Sequence, residues 1–351
     1  MFIYKKLILI LILIFTNLIL GCSYWHTDEE TYSVVQDGIG RNIKLQLPIQ
    51  SAVVTNAHNF DLINSIGNAT DKVIGVDANI YYNNLASRKK FSREQLVGEN
   101  QKHLNYEKII ELNPQILILS DNGQWREAEK VLTPFGIKVF VLNAYYTGDF
   151  KYNCLTVGKL FSEEDAAQEF YDYFNSQLDY VKQQLKGIPK HTVYFEYRNE
   201  NVSVTPGRPY YNMLLVSGGK NIFDDAVNPH IDAEEIIKRN PQYIVKVSDE
   251  NLRINYIPPT IEDFKFRKEK IKNRVGWEEI QAVKDNNILL LSHYSFGGAC
   301  EIIGSLYIAK FMYPEYLPAL HPERVFKVWL EKYQRIPYIC GHTYPRFLLN
   351  D

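Results

Sequence analysis

The stretch N-Y-E-K-I-I-E-L-N-P-Q-I-L-I-L, Asn105 to Leu119, returns later in the chain as D-A-E-E-I-I-K-R-N-P-Q-Y-I-V-K, Asp232 to Lys246. Six of the 15 aligned positions are identical: Glu107/Glu234, Ile109/Ile236, Ile110/Ile237, Asn113/Asn240, Pro114/Pro241 and Gln115/Gln242. Each copy reads as a capping residue (Asn105 or Asp232), a helix of about two turns, an Asn-Pro stop and a buried strand. One reading is a duplicated βα unit, one copy in each of two halves. The plainer reading is that any β/α protein reuses this grammar.

Outward from the echo, short apolar runs alternate with amphipathic ones. Candidate strands are Ala52 to Thr55, Val73 to Val76, Ile116 to Leu119, Val139 to Leu142, Thr192 to Glu196, Tyr243 to Val247 and Ile288 to Leu291. Helical patterns lie between them, so the fold class is α/β: two Rossmann-like lobes with mostly parallel sheets. A hairpin precedes them, Tyr32 to Val35 and Ile43 to Leu47, turning through Asp37-Gly38-Ile39-Gly40. Between the fourth and fifth strands no strand signal occurs. Phe170, Phe174, Leu178, Val181 and Leu185 recur there at steps of three or four, and Ser162 with Asp165 resembles a capping box. Gly187 and Pro189 end the pattern. The expected division is therefore a first lobe over 31–148, one long connecting helix within 149–187, and a second lobe over 188–351.

The chain has 351 residues, 39 basic against 41 acidic, and 46% of it is apolar, enough for two sizeable cores. That near-neutral balance, with no basic run beyond the start, argues against a nucleic-acid partner. Lys5 and Lys6 precede the apolar stretch Leu7 to Leu20, which is too short for a bilayer span of about 20 residues and fits a secretory signal over residues 1–22. It ends I-L-G-C, which resembles the lipobox at which bacterial lipoproteins are cleaved and acylated, here on Cys22. An uncleaved anchor is the alternative, and both place the remainder outside the cytoplasm. Residues 23–30 read as a polar tether. Acylated Cys22 leaves Cys154, Cys300 and Cys340, an odd number, so at least one stays unpaired; a Cys300 to Cys340 bridge remains open.

Several stretches in order carry a family resemblance: the two echo units, the lipobox, V-Q-D-G-I-G-R-N-I from Val35, L-V-S-G-G-K-N-I-F from Leu215, G-W-E-E-I-Q-A-V-K-D-N-N-I from Gly276 and G-S-L-Y-I-A-K-F-M-Y-P-E from Gly304. Together they resemble the helical-backbone solute-binding lipoproteins of ABC importers, the group that carries iron-siderophore, haem and cobalamin cargo. The resemblance implies two lobes facing across a cleft, a small hinge motion, a monomer, and delivery of the solute to a membrane permease. It also implies that one glutamate per lobe, here Glu107 and Glu234, pairs with permease arginines. Acidic residues in a first helical turn also favour the helix dipole, so the two roles coincide.

Ligands of open α/β sheets collect at the carboxyl ends of strands. The loops there nominate His58, Tyr81, Tyr82, Trp125, Tyr145 and Tyr146 in the first lobe. In the second they nominate Tyr197, Arg198, Arg208, Tyr210, Lys246, His293, Tyr294 and Phe296. Rigid aromatic rings suit a flat or amphipathic metal chelate, although 25 tyrosines make some crowding a matter of composition. Arg198, Arg208 and Lys246 are placed to neutralise an anionic carrier, or are solvated loop charge. His58 and His293 follow strands of opposite lobes and are candidates to ligate one Fe, Ni, Cu or Zn centre. The weaker expectation is a receptor for a bare or small-ligand-bound ion such as Ni, Zn or Mn. Cys340-Gly341-His342 reads as structural.

A lipid-anchored hydrolase is the competing class. The sequence contains no G-x-S-x-G elbow, no H-E-x-x-H helix and no G-x-x-x-x-G-K-[ST] loop. The expectation is a receptor without catalysis or an intrinsic cofactor, its transported metal chelate being the ligand.

Overall fold

The computed structural model describes residues 32–145, 147–208, 210–247, 256–292, 294 and 300–349. The leader, Cys22 and the tether lie outside these residues, as do Tyr146, His293 and Phe296.

A hairpin of β1 (Tyr32–Gln36) and β2 (Asn42–Gln46) leads into the first sheet. That sheet contains β3 (Ala52–Val54) and β4 (Val73–Val76); a short antiparallel pair, β5 (Gly98–Asn100) and β6 (His103–Leu104), lies beside it. With β7 (Ile116–Leu119) and β8 (Lys138–Val141) the sheet runs β4-β3-β7-β8, all parallel. The second sheet is built from β9 (Thr192–Glu196), β10 (Lys220–Asn221), β11 (Tyr243–Val247), β12 (Ile288–Leu291) and β13 (Thr343–Tyr344). Its order is β10-β9-β11-β12-β13, parallel except for the antiparallel edge β13. Two separate sheets therefore form two lobes.

Side-chain alternation explains how both sheets are covered on both faces. Ala52, Val54, Ile116, Ile118 and Phe140 point to one core, while Val53, Leu117, Leu119 and Val139 point to another. In the second sheet Val193, Phe195, Val245, Val247, Leu289 and Leu291 share the first of these cores, whereas Tyr194, Ile244, Ile288 and Leu290 form a third with Trp277 and Phe264. The inner faces of the two sheets thus belong to one continuous apolar body, and each outer face has its own helices. Strands buried on both faces must be apolar throughout, which is why β7 and β12 read I-L-I-L and I-L-L-L.

The echo is geometric as well as textual. Asn105 accepts from Lys108 N and Asp232 from Glu234 N, capping the helices Tyr106–Leu112 and Ala233–Arg239. Asn113 and Asn240 close these helices in the left-handed region, at φ 47° and 44°. A residue before proline is normally pushed to extended backbone, and asparagine is among the few side chains that tolerate the left-handed alternative. Gln115 and Gln242 then accept from Gln50 N and Thr192 N, both at 2.9 Å, tying each repeat to the start of a neighbouring strand.

The connecting segment departs from the expectation of one helix. Phe150–Phe161 and Glu164–Gln184 are two helices, and Phe150 lies 5.7 Å from Phe170 and 6.2 Å from Phe174, so the first leg folds back on the second. The expected Ser162–Asp165 capping box is absent. Ser162 instead takes φ 56° as the left-handed C-cap of the first leg, which makes the reversal. The apolar spacing correctly marked Phe170, Phe174 and Val181 as buried.

The lobes are also joined near the C-terminus. Gln334 donates to Asp61 O at 2.8 Å and to Ser65 Oγ at 2.6 Å, and accepts from Asn64 at 3.1 Å. Arg335, at φ 55°, donates to Asn64 O at 2.9 Å. The three residues that Gln334 meets, Asp61, Asn64 and Ser65, all lie on the helix Ala57–Ser65, whose other end carries His58.

Candidate functional site

The helix Ala57–Ser65 starts directly after β3 because Asn56 caps it, accepting from His58 N and Asn59 N. Asn56 also donates to Ser120 Oγ at 2.9 Å, at the end of β7. Ser120 Oγ donates to Gln101 Oε1 at 2.7 Å. Asn143, beyond β8, accepts from Asp121 N at 3.0 Å, and Asn59 accepts from Ala144 N at 3.1 Å. Three neighbouring strand ends are thereby locked into one polar floor. His58 stands on it, half-buried, 6.4 Å from the buried ring of Tyr145, whose hydroxyl donates to Asp121.

From His58 the site extends in both directions. A recess of about 310 Å³ lies on one side, lined by Asn56, His58, Asp77, Gln101 and His103. On the other, Tyr145 and Asp121 border a wider recess of about 730 Å³ with Trp125 and Arg41. There the guanidinium groups of Arg41 and Arg126 lie 4.5 and 4.2 Å from the Trp125 ring.

His58 also feels the second lobe. Burial, and after it the positive charge of Arg198, push its pKa down to about 4. His58 is therefore neutral at pH 6–8. Arg198 follows β9, its guanidinium 5.1 Å from the Tyr197 ring, and Tyr197 stacks on Tyr210 at 5.8 Å. These two tyrosines line an apolar recess of about 180 Å³ with exposed Arg208 at its border. Arg198, at a strand end of the second lobe, is thus within electrostatic reach of His58, at a strand end of the first.

Several nominated residues stand elsewhere. Lys246 is not a loop cation: it is buried in β11 and gives its Nζ to Glu196 Oε1 at 2.6 Å and to the carbonyls of Tyr197 and Arg198 at 3.2 and 3.1 Å. Tyr294 is a core residue, 4% exposed, packed on Trp329 at 5.7 Å and His342 at 5.0 Å. Tyr81 and Tyr82 meet edge-on at 5.1 Å on the helix Ala78–Asn83, Tyr82 being 49% exposed. His342 donates from Nε2 to Tyr256 O at 3.1 Å and accepts at Nδ1 from Ser292 at 2.7 Å, a buried structural role. Cys154 is buried and Cys340 exposed, both as free thiols. His293 and Tyr146 lie outside the described residues, so the pairing of His58 with His293 does too. Among the described residues no three of His, Cys, Asp or Glu are grouped to hold a metal ion.

Sequence reasoning missed Gln101 and His103. They come from the β5–β6 hairpin, and nothing in its composition distinguishes it from a surface turn. The local signal was Gly98, whose φ of 134° lets that hairpin approach so closely that a Cβ would meet His103 O.

Two buried carboxyl groups support the floor. Burial raises Asp61 and Asp77 to about 7 each, against the lowering hydrogen bonds from Asn84 and from Ile80 N. In the folded chain they keep a proton that the unfolded chain loses near pH 4, so their contribution to stability falls as pH rises from about 4 to 7. Asp61→Asn is expected to raise the unfolding free energy by about 1–4 kcal/mol at pH 8 and by almost nothing at pH 4. Urea titrations at the two pH values test this, and an equal effect at both contradicts it.

Comparison with known proteins agrees with this geometry. The chain is 22% identical over 198 residues to the vitamin B12-binding protein of Vibrio vulnificus, covering 56% of this chain and 70% of that protein. It is 23% identical over 210 residues to the petrobactin-binding protein of Bacillus subtilis, covering 57% and 63%. Its fold superposes on the crystal structure of a TroA-like periplasmic binding protein from Veillonella parvula with a TM-score of 0.70 at 18% identity, over 90% of this chain and 99% of that one. Residues 53–294, more than half of the chain, match the model of the periplasmic binding protein family, and the chain belongs to that family.

Proposed function

We propose that this protein is an extracytoplasmic receptor, lipid-anchored through Cys22, that captures a metal chelate between its lobes and hands it to an ABC permease without catalysing any reaction. The observation that carries the reading is the electrostatic reach of Arg198 in one lobe to His58 in the other. Each stands at a strand end, and each is flanked by aromatic rings, Tyr145 and Tyr197. A neutral imidazole, a fixed cation and stacked phenols suit a solute that is part aromatic or apolar and part anionic. The related proteins named for vitamin B12 and petrobactin support a metal-bearing organic solute, of the siderophore, haem or cobalamin type. A metal that arrives already chelated needs few protein ligands, which favours this over the bare-ion alternative.

Purification of the full chain from its native host, followed by metal analysis, absorption spectroscopy and intact mass, tests the reading. Stoichiometric metal together with an organic ligand is the expected result; a preparation that binds no small molecule under any growth condition overturns it. Rebinding of the co-purified solute is expected to weaken at least tenfold in His58→Ala, about 1.4 kcal/mol. Unchanged affinity would remove His58 from the site.

A further inference from the structure

A recess of about 180 Å³ lies behind the Arg198 loop, outside the aromatic surfaces just described. Five cations line it: Arg198, Lys246, Arg267, Lys270 and Arg274. Arg267 and Lys270 stand three residues apart on the helix Ile261–Lys272, and Arg274 follows that helix. Against these charges stand Glu200 at the border and Glu196 beneath, where it binds both Lys246 and Arg274. Among the described residues that line it the local excess is positive, in a chain whose net charge is −2.

The floor is preorganised. Glu196 holds the Arg274 guanidinium through two bonds of 2.8 and 2.9 Å, and that group also rests 4.3 Å from the Trp277 ring. Arg274 Nε is nevertheless buried without a hydrogen-bond acceptor. An unmet donor beside a cation-lined recess is the condition an incoming acceptor relieves. The space equals several water molecules at about 30 Å³ each, enough for a phosphate or a carboxylate cluster and too small for a macrocycle.

We propose that this recess binds a compact oxyanion, a phosphate or carboxylate group, supplied either as a free anion or as an anionic arm of the transported solute. The second source rests on the receptor reading above; the first does not. Arginine recognises such groups through paired donors, and the recess offers three arginines with Lys270, the ammonium of Lys246 being spent on Glu196 and two carbonyls.

Calorimetric titration of the detergent-solubilised full chain with inorganic phosphate tests the site. The wild type is expected to bind phosphate, and Arg267→Glu/Lys270→Glu to bind it at least tenfold more weakly, while Arg267→Lys/Lys270→Arg stays within about threefold. These variants leave Glu196, Lys246 and Arg274 in place, and circular dichroism checks that they fold. No phosphate binding by the wild type, or equal binding by the charge-reversed variant, overturns the proposal. A second titration, with ferric citrate, separates the sources. If the anion is part of the solute, phosphate competes with the chelate and the charge-reversed variant loses both ligands. If it is free, only phosphate binding falls. Failure of the wild type to bind any chelate counts against the receptor reading alone, because the phosphate arm still decides the recess.

Discussion

Glu196→Gln is expected to destabilise the second lobe by about 3–5 kcal/mol, the loss typical of breaking a buried charge network from one side. Glu196 has no exposed surface, yet four groups converge on its carboxylate. Lys246 Nζ lies at 2.6 Å, the Arg274 guanidinium at 2.8 and 2.9 Å, Tyr194 OH at 2.9 Å and Asn201 N at 3.0 Å. Glutamine preserves shape and removes the charge, leaving Lys246 and Arg274 in low-dielectric surroundings without the carboxylate that pairs them. Glu200→Gln supplies the control: that carboxylate is 66% exposed and 3.9 Å from Arg274, so the change is expected to stay below about 1 kcal/mol. The two effects are read from urea unfolding at constant slope. A loss for Glu196→Gln no larger than for Glu200→Gln would show that the network does not hold the lobe. The pH dependence carries a further signature. Burial alone would raise the Glu196 pKa, but its bonds and charge pairing with Arg274 and Lys246 outweigh that and hold it below the ordinary glutamate value. A depressed acid stabilises above its unfolded pKa near 4.3 and loses that contribution as pH falls further. Its slope is thus opposite to that of Asp61 and Asp77, and it acts only below the window in which they titrate.

The same cluster shows why the framework was more legible than the site. Strands buried on both faces admit little but Val, Ile, Leu and Phe, so β7, β11 and β12 stand out in any window. The caps and stops of the echo are local chemistry carried by Asn105, Asp232, Asn113 and Asn240. Burial direction is legible in the same way: Phe170 and Phe174 follow from spacing alone. The role of a polar side chain is different, because it depends on partners far away in the chain. Lys246 looked like a loop cation since it ends an apolar strand, and only its 50-residue pairing with Glu196 makes it internal. Tyr294 failed for a related reason: the helix Pro322–Val328 and Trp329, which cover it, come later and share no local signature with β12. Ser162 failed because a left-handed C-cap and an N-cap attract overlapping residue types. The place of His58 at a strand end was legible because it follows a strand and a capping asparagine, both of which are short-range facts.

Charge reversal at both Glu107 and Glu234 is expected to reduce uptake of the solute at least a hundredfold in cells while leaving its affinity for the purified receptor within about twofold, a separation that about 3 kcal/mol lost only at the permease would produce. The expectation rests on position and on freedom. Each glutamate is the second residue of a seven-residue helix, one per lobe, and each is exposed. Among the described residues neither carboxylate enters a hydrogen bond or an ion pair, although their neighbours Lys108 and Glu235 do. A charge kept for intramolecular stability would be paired; these two project from matched scaffolds whose caps and left-handed stops fix both in the same local frame. Their intramolecular worth is the helix-dipole contribution, about 0.3–1 kcal/mol each, so Lys at both sites, which turns each attraction into a repulsion, costs the fold about 1–4 kcal/mol. Single reversals should each retain part of the uptake, because one lobe still docks, and compensating Glu substitutions of permease arginines should restore it. Weakened solute binding in the double variant, or uptake that persists, would show that the carboxylates serve the helices alone. The duplicated unit would then be explained by folding grammar, since an N-cap, an acidic first turn and an Asn-Pro stop suffice to build a βα junction without any partner.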